Sequence, residues 1–290
     1  MRRLPLLLTL SGCLLPLEAT NPLDVNNPET KGILPGFTLR WYDAEVHLEW
    51  DLVELDDVAG YNVYRRVGED GSLEFEETTG YPPWQDYTPG RTGLNRMGYA
   101  MTVLGGSDSE SLRTEERSVT TLIDPLDDTD VGDWEGGSFN EGEMVVSSAT
   151  GTANWAASTR IEWSTFLFEA RIDGFVAEDG GDRAIMLFFR GQSADFDDCY
   201  VASLLEDGTV QLSRRTEGEW ITLDSVETGS SPFDSNTFGV VAANENLGVL
   251  LNGAMILQTE DSSYPSGYVG VGAQNGMHAR VKSISVFSPQ

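Results

Sequence analysis

The sequence alternates apolar and polar residues over short runs that end at turn residues, and this pattern limits the fold more than any other feature. A period of two places successive side chains on opposite faces of a strand, and no stretch keeps the period of an amphipathic helix. Of the 290 residues, 40% are hydrophobic and 10% are aromatic, which is enough to build a core. We therefore predict an all-β chain, and its length fits two sandwiches in series.

The charge balance excludes one class of partner. The chain carries 47 Asp and Glu against 18 Lys and Arg, a net charge of -29, which repels phosphate backbones. Nucleic acid is therefore not expected as a partner. The cysteines, Cys13 and Cys199, and the histidines, His47 and His278, are too few for a typical zinc site. Cys199 lies in a strand pattern and is interpreted as a small buried residue.

The N-terminus has the layout of an export signal. Two arginines follow Met1, and the apolar run 4–10 is far shorter than the ~20 residues of a membrane span. The run ends in Leu10-Ser11-Gly12-Cys13, which resembles the lipobox of bacterial lipoproteins. This resemblance implies a signal peptide over residues 1–12, a lipidated Cys13 and a proline-containing tether over residues 13–32. The alternative is an ordinary signal cleaved after Ala19. Both alternatives predict export to the bacterial cell envelope or beyond.

The segment 33–121 carries the first set of strand-like runs, which are 37–41, 46–50, 61–66, 99–103 and 118–121. Their order resembles a fibronectin type III domain, with Trp50 as the core tryptophan and Tyr99 as the tyrosine corner. The resemblance implies a sandwich that acts as a spacer or an adhesive unit. The next strand-like runs begin within a few residues of Thr121, so a very short linker is expected.

The segment 122–290 shows the same alternation, with turns predicted at Asp207-Gly208, Gly218 and Asn252-Gly253. Its strand-like runs include 166–171, 184–190, 199–205, 210–215, 247–257, 267–272 and 279–287. Their order resembles the concanavalin-A-like jelly rolls of the laminin-G-like and 3-keto-disaccharide-hydrolase-like kind. The resemblance implies a jelly-roll domain with a saccharide-related role.

Retaining glycosidases on related jelly rolls place two carboxylates ~5 Å apart on one strand face. The nearest pattern here is Glu169-Ala170-Arg171-Ile172-Asp173, in which Glu169, Arg171 and Asp173 share a face. With Arg171 between them, both carboxylates are expected to stay ionised, so neither is an evident general acid. We interpret this face as solvated or sugar-binding, and not as catalytic.

Sugar recognition combines an aromatic surface with directional hydrogen-bonding groups, because pyranose faces are apolar and their hydroxyls need partners. Aromatic side chains, arginines and a polar turn of the C-terminal segment supply these chemistries. The predicted carbohydrate-binding residues are Glu169, Arg171, Arg190, Tyr200, Arg214, Trp220, Gln274 and Asn275. For the aromatic residues and arginines, packing within the sandwich is the alternative role, and turn formation is the alternative for Asn275.

Four aspartates cluster at the start of the C-terminal segment, namely Asp127, Asp128, Asp130 and Asp133. Carboxylate oxygens are calcium ligands, but this spacing does not match the twelve-residue calcium loop with its closing Glu. An acidic chain also shows such clusters by chance. No cofactor is predicted, and a structural calcium ion is the alternative.

The sequence therefore predicts an exported, lipid-anchored cell-surface protein whose C-terminal domain binds its partner without catalysis. The expected partners are a polysaccharide or surface glycan, or a surface protein, with the membrane contacted through the lipid anchor. One alternative is glycoside hydrolysis by the C-terminal domain, and another is a purely structural envelope or adhesion role. A pair of carboxylates converging in a cleft would favour hydrolysis.

Overall fold

The structure is a computed structural model that describes most of the chain after the N-terminal segment. The described residues are 24, 25, 27, 31–42, 45–54, 58–106, 109–124, 126, 133–140, 142–176, 178 and 181–289. Residues 1–12 and Cys13 lie outside them, as does most of the segment 13–32. Within the described residues there is no helix long and apolar enough to cross a membrane. These residues form β-strands with a single short 3-10 helix, Thr88–Gly90, which confirms the all-β prediction.

Seven strands form an N-terminal sandwich. They are β1 (Thr38–Tyr42), β2 (Glu45–Glu49), β3 (Val58–Val67), β4 (Glu74–Thr79), β5 (Trp84–Asp86), β6 (Gly93–Gly105) and β7 (Arg117–Asp124). One sheet has the order β1-β2-β5, and the other four strands follow the order β4-β3-β6-β7. All neighbours pair antiparallel. The five predicted runs overlap β1, β2, β3, β6 and β7, whereas β4 and β5 had no predicted counterpart.

The core of this sandwich is aromatic. Tyr61 and Val63, two residues apart on β3, are buried between the sheets. Trp50 is buried as well, with its ring centroid 5.2 Å from that of Tyr61. Tyr99 is fully buried, and its hydroxyl donates a 2.8 Å hydrogen bond to Asp86 Oδ2 instead of to a backbone carbonyl. The alternation read from the sequence therefore places these side chains on the core face.

Fourteen further strands follow, and they form a jelly roll of two facing sheets. They are β8 (Trp134–Glu135), β9 (Ser138–Asn140), β10 (Glu143–Ser147), β11 (Ala153–Trp163), β12 (Phe166–Val176), β13 (Ala184–Gly191), β14 (Cys199–Leu205), β15 (Thr209–Thr216), β16 (Glu219–Glu227), β17 (Asn236–Ala243), β18 (Asn246–Leu251), β19 (Ala254–Glu260), β20 (Gly267–Gln274) and β21 (Met277–Pro289). The front sheet has the order β16-β15-β14-β13-β20-β11-β8. The back sheet contains β19-β18-β17-β12-β21, with β10 and β9 beyond β21. The predicted turns join β14 to β15, β15 to β16 and β18 to β19.

The jelly-roll core lies between the front and back sheets. On β12 of the back sheet, Phe168 and Ile172 are fully buried in one cluster with Ile185 and Leu187 of β13 in the front sheet. Because these residues alternate with others that point away, each sheet also has an outer face. Those two outer faces, one on each side of the jelly roll, are where a large ligand can reach the sheets.

The last strand joins the two sandwiches. One edge of β21 pairs with β12, and the other edge pairs first with β10 and then with β7. The register with β7 runs from Ile284 opposite Asp124 to Pro289 opposite Val119. The β4-β3-β6-β7 sheet and the back sheet are therefore one continuous eleven-stranded sheet. Residues 121 and 122, between which the domain boundary was predicted, both lie within β7.

The two sandwiches use opposite faces of the eleven-stranded sheet. Val286 is buried in the jelly-roll core, whereas the next residue, Phe287, is buried in the N-terminal core and stacks on Trp41 at 4.9 Å. On β7, Val119 belongs to the N-terminal core and Leu122 to the jelly-roll core. Because neighbouring strand residues point to opposite faces, the β1-β2-β5 sheet and the front sheet cover opposite sides of the shared sheet.

Candidate functional site

Glu169, Arg171 and Asp173, which were predicted to share a face, lie on β12 and point to the outer face of the back sheet. Asp173 is buried there and accepts two hydrogen bonds from Arg280, at 2.7 and 3.0 Å, and one from Lys282 Nζ at 2.7 Å. Burial acts to raise the pKa of the Asp173 carboxyl, but these hydrogen bonds outweigh it and hold that pKa below its usual value. Arg171 is exposed. Asp173 is thus kept ionised by cations of β21, not by Arg171 as the sequence predicted.

Glu169 lies in a different environment on the same strand. Its side chain covers Gly239 of β17, where an added Cβ would fall 2.9 Å from Glu169 Cγ. Burial raises the pKa of Glu169 above its usual value, and Arg171, which was expected to favour the ionised form, does not contribute to this shift. The backbone positions of Glu169 and Asp173 are about 13 Å apart, and their side chains lie towards opposite neighbours of β12, Glu169 over Gly239 of β17 and Asp173 against Arg280 of β21. These two carboxylates therefore do not form the pair that a glycosidase needs.

Arg190 stabilises the fold, and it is not exposed at the surface as a sugar-binding residue has to be. Its side chain is fully buried at the end of β13, and its backbone has a φ of 50°. Nη1 donates to the carbonyl oxygens of Asn244, at 2.8 Å, and Tyr264, at 3.1 Å, and Nη2 donates to that of Ser164 at 2.6 Å. Burial lowers the pKa of Arg190. The arginine therefore holds three loops together at one end of the jelly roll.

Tyr200 and Arg214 also serve the fold. Tyr200 is fully buried in the jelly-roll core, and its hydroxyl donates to Asp261 Oδ1 at 2.6 Å. Arg214 lies opposite Tyr200 on β15, and its Nη1 is 2.7 Å from Asp261 Oδ2 and 2.6 Å from Ser263 Oγ. Tyr200 and Arg214 thus bind Asp261 in the loop between β19 and β20. The placement of these two residues and of Arg190 therefore does not support their predicted roles in sugar binding, because their polar groups bind loops of the protein itself.

A depression of about 220 Å³ opens on the outer face of the front sheet. Its lining combines one half-exposed aromatic residue with small apolar and polar side chains. The lining residues are Asp182, Ala184, Ser203, Leu205, Gln211, Ser213, Trp220 and Gln274. Trp220 is 43% exposed, so its ring is available to a ligand.

The strand period explains why these polar groups meet. On β14, Leu204 points into the core, so Ser203 faces outward. On β15, Leu212 is buried in the core, and Gln211 and Ser213 on either side of it face outward. Gln211 Nε2 donates to Ser213 Oγ at 2.8 Å and to Thr222 Oγ1 of β16 at 2.9 Å. This network fixes the amide, so its carbonyl oxygen has a defined direction.

Asn275 shapes the rim of the depression. It follows Gln274 in the turn after β20, with a φ of 58° that asparagine tolerates better than most residues. Its Oδ1 accepts from the Gly151 amide at 3.1 Å, and its Nδ2 donates to the Asp182 carbonyl at 3.2 Å. Asn275 therefore holds the loop that carries Asp182 beside Gln274. Its role is to position the rim.

The other half of the outer face is covered by the loop Gln192–Asp198, which we call the plug loop. Phe196 of this loop is fully buried against Phe188 of β13, at a centroid distance of 5.0 Å, and edge-on to Trp155 of β11. Cys199, at the start of β14, is buried beneath the loop, and its Sγ donates to the Phe196 carbonyl at 3.1 Å. Burial raises the pKa of this thiol, so Cys199 is a packed residue, as its sequence pattern predicted.

Arg215 ties the plug loop to the sheet. Its Nη1 donates to the Phe196 carbonyl at 3.1 Å, and its Nη2 lies 3.0 Å from Asp197 Oδ1. Its guanidinium carbon is 5.3 Å from the centroid of the Trp155 ring and 5.6 Å from that of the Trp220 ring. Trp155 Nε1 adds a 2.9 Å bond to a plug-loop carbonyl. The loop and the wall of the depression are therefore one connected structure.

The described residues contain no group of three or more His, Cys, Asp or Glu side chains that could hold a metal ion. Of the four calcium candidates, Asp127, Asp128 and Asp130 lie outside the described residues. Asp133 is exposed, and its Oδ2 is 3.8 Å from Arg160 Nη1. The calcium alternative therefore stays a sequence-based hypothesis.

The structure brings together only part of the predicted set. Trp220 and Gln274 line the depression and Asn275 supports its rim, whereas Glu169 and Arg171 lie on the opposite side of the jelly roll. Sequence reasoning missed Asp182, Ser203, Gln211 and Ser213, which line the depression as well. The alternation of polar and apolar residues on β14 and β15 was the signal that could have found the last three.

Some solved structures resemble parts of the chain at low sequence identity. A CBM66 carbohydrate-binding module from Bacillus subtilis gives a TM-score of 0.44 at 16% identity, over 52% of this chain and 94% of that chain. The carbohydrate recognition domain of Emp47p gives 0.46 at 17% identity, over 58% and 94%. A β-glucanase from Bacillus licheniformis gives 0.45 at 13% identity, over 57% and 97%. No family model and no curated protein matches the sequence. Because these TM-scores are low, the fold is assigned from the strand order and function from the site alone.

Proposed function

We propose that this protein binds glycan without catalysis, through the depression on the outer face of the front sheet. The observation that carries the proposal is the combination of the half-exposed Trp220 with the partly exposed Gln211 and Gln274, beside the buried Ser203 and Ser213. An indole ring offers a flat apolar surface for the apolar face of a pyranose. Hydroxyl and amide groups donate and accept, so they satisfy the ring hydroxyls in fixed directions.

The non-catalytic part of the proposal rests on the carboxylates. Among the described residues that line the depression, Asp182 is the only carboxylate, whereas glycoside hydrolysis by the common mechanisms needs two that flank one bond. Glu169 and Asp173, the other candidates, lie on the back sheet, on the far side of the core. Glycoside hydrolysis is the alternative function, so the experiment below also measures cleavage of the glycan.

The N-terminal half is proposed as the spacer of an exported, lipid-anchored protein. Leu10-Ser11-Gly12-Cys13 supports lipidation at Cys13, and the apolar run 4–10 supports export. A sandwich of three strands against four supports a fibronectin type III domain. The pairing of β7 with β21 would hold the glycan-binding depression at a fixed orientation to this sandwich.

The test separates binding from cleavage in one experiment. The full chain is passed over immobilised neutral polysaccharides, and both retained protein and newly released reducing ends are measured. We expect retention of the wild type, loss of retention for Trp220→Ala, and no reducing ends. Release of reducing ends that Asp182→Asn or Glu169→Gln abolishes would establish hydrolysis, and retention on no glycan at all would favour a protein partner.

A further inference from the structure

We propose that the depression on the outer face of the front sheet prefers glycans that contain amino sugars, whose ammonium group pairs with the Asp182 carboxylate. This inference rests on the proposed function and adds the class of ligand. It follows from the charges that line the depression, from the way in which the fold holds Asp182, and from the separation between Asp182 and Trp220.

Asp182 supplies the only charge among the described residues of the lining. Two neighbouring arginines could offset this charge, but each is paired with another carboxylate. Arg183 Nη1 lies 3.0 Å from Glu206 Oε1, and Arg215 Nη2 lies 3.0 Å from Asp197 Oδ1. The depression therefore presents one net negative charge to a ligand.

The Asp182 carboxylate is accessible, and the backbone that carries it is held in place. Asp182 is exposed, and among the described residues no group donates a hydrogen bond to this carboxylate or forms an ion pair with it. Its backbone carbonyl accepts a 3.2 Å hydrogen bond from Asn275 Nδ2, and Asn275 Oδ1 in turn accepts from the Gly151 amide. The carboxylate can therefore accept charge-assisted hydrogen bonds from a ligand without losing a partner in the protein.

The chemistry of the sugar substituent decides how well it satisfies this carboxylate. An ammonium group offers several N–H donors together with a positive charge, whereas a hydroxyl offers one neutral donor. A carboxylate or sulfate on the ligand would be repelled by Asp182 and would have no cationic partner among the described lining residues. The net charge of -29 acts in the same direction, because it attracts cationic ligands and repels anionic ones. The expected order of preference is therefore amino sugars, neutral sugars and acidic sugars.

Asp182 and Trp220 contact different units of the ligand. Ala184 of β13, two residues after Asp182, lines the depression together with Trp220 of β16. Three strand spacings separate β13 from β16, which is about 14 Å across the sheet and more than the width of one pyranose ring. The sugar unit that stacks on Trp220 is therefore not the unit whose amine meets Asp182. Substitutions at the two positions should consequently have different effects on ligand choice.

The experiment compares three oligosaccharide series that share one backbone. Short β-1,4-linked oligomers of glucose, N-acetylglucosamine and glucosamine differ only in the group at C2, which is a hydroxyl, an acetamide or an ammonium. Each series is titrated into the full chain by calorimetry, at a mildly acidic pH that keeps the amine protonated and at physiological salt, which screens the general attraction of cations. We expect the glucosamine oligomers to bind about three- to fivefold more tightly than the other two series, as an exposed ion pair allows.

Three variants tie the preference to this site. Asp182→Asn should reduce the affinity for glucosamine oligomers to that for glucose oligomers. Glu227→Gln is the matched control and should keep the preference, because Glu227 is exposed on β16, opposite Thr209 of β15, and does not line the depression. Trp220→Ala should weaken all three series by a similar factor, because its ring contacts another sugar unit. Circular dichroism and thermal unfolding check that each variant folds.

The outcomes separate this inference from the proposed function. Equal affinity of the wild type for the three series, or a preference for glucosamine that survives in Asp182→Asn, overturns the amino-sugar inference and leaves glycan binding standing. A preference that Glu227→Gln reduces as much as Asp182→Asn does would come from the net charge of the chain, and this result overturns the inference as well. Binding of none of the three series also overturns it, and retention on the neutral polysaccharides then decides the proposed function separately.

Discussion

Replacing Phe287 by alanine tests the joint between the two sandwiches. Phe287 belongs to the last strand of the jelly roll, yet its ring is 6% exposed in the N-terminal core and stacks on Trp41. Truncating a buried phenylalanine costs about 3–5 kcal/mol, and we expect about 3 kcal/mol at this position near the core's edge. If both sandwiches unfold as one unit, 3 kcal/mol lowers the midpoint by about 6–12 °C, since each kcal/mol is worth about 2–4 °C in a domain of this size.

The assay is calorimetry combined with hydrogen exchange read by mass spectrometry. We expect one cooperative transition in the wild type, and faster exchange in Phe287→Ala over β3 and β6 as well as over β21. Phe175→Ala on β12 is the matched control, because that ring is 42% exposed and should cost little. Unchanged exchange over β3 and β6, or two transitions of which only the jelly-roll transition moves, would refute the coupling.

Three further predictions concern buried charges. Arg190→Ala should destabilise the jelly roll by about 3 kcal/mol or more in urea unfolding, because three backbone carbonyls lose their donors, and an unchanged midpoint would contradict this role. Asp173 has a lowered pKa in the folded protein, so its stabilising contribution should be complete above the unfolded value near 3.8 and be lost as the pH falls through the lower folded value. Removing one of its two cationic partners with Lys282→Met should flatten part of this acid dependence in pH-dependent unfolding. Glu169 has a raised pKa, so its cost to stability should grow as the pH rises from about 4.5, and Glu169→Gln should therefore unfold at a higher temperature than the wild type at pH 7 but not at pH 4.

The alternation in the sequence was enough to predict strands and faces. The resemblance of the first set of runs to a fibronectin type III domain predicted core positions for Trp50 and Tyr99, and both side chains are buried. The alternation also predicted that Glu169, Arg171 and Asp173 share one face of β12. The structure confirms this, since the intervening Ala170 and Ile172 are buried in the core. This information is local, since a period of two fixes the side of each residue without reference to other strands.

Pairing between distant strands could not be predicted in the same way. The ladder between β7 and β21 joins residues 119–124 to residues 284–289, and nothing in either segment specifies the other. The partner of Asp173 depends on the register of β21, which shifts between Arg171 and Ile172. The depression likewise depends on five strands, β13 to β16 and β20, and β20 is a neighbour of β13 only in the folded sheet. In the sequence, its polar residues cannot be told apart from other surface residues, because the sequence does not show which strands lie side by side.

The central claim is that the front sheet binds glycan, and parallel titrations of front-face and back-face variants test it most directly. Wild type, Trp220→Ala, Gln211→Ala, Arg171→Ala and Glu169→Gln are titrated with the neutral glycan fragment that the wild type binds best. Our account predicts that the two front-face variants weaken binding by about 1–2 kcal/mol, or roughly tenfold, while the two back-face variants bind like the wild type. Loss of binding in Arg171→Ala or Glu169→Gln, with Trp220→Ala and Gln211→Ala unaffected, would place the site on the back sheet and contradict the account.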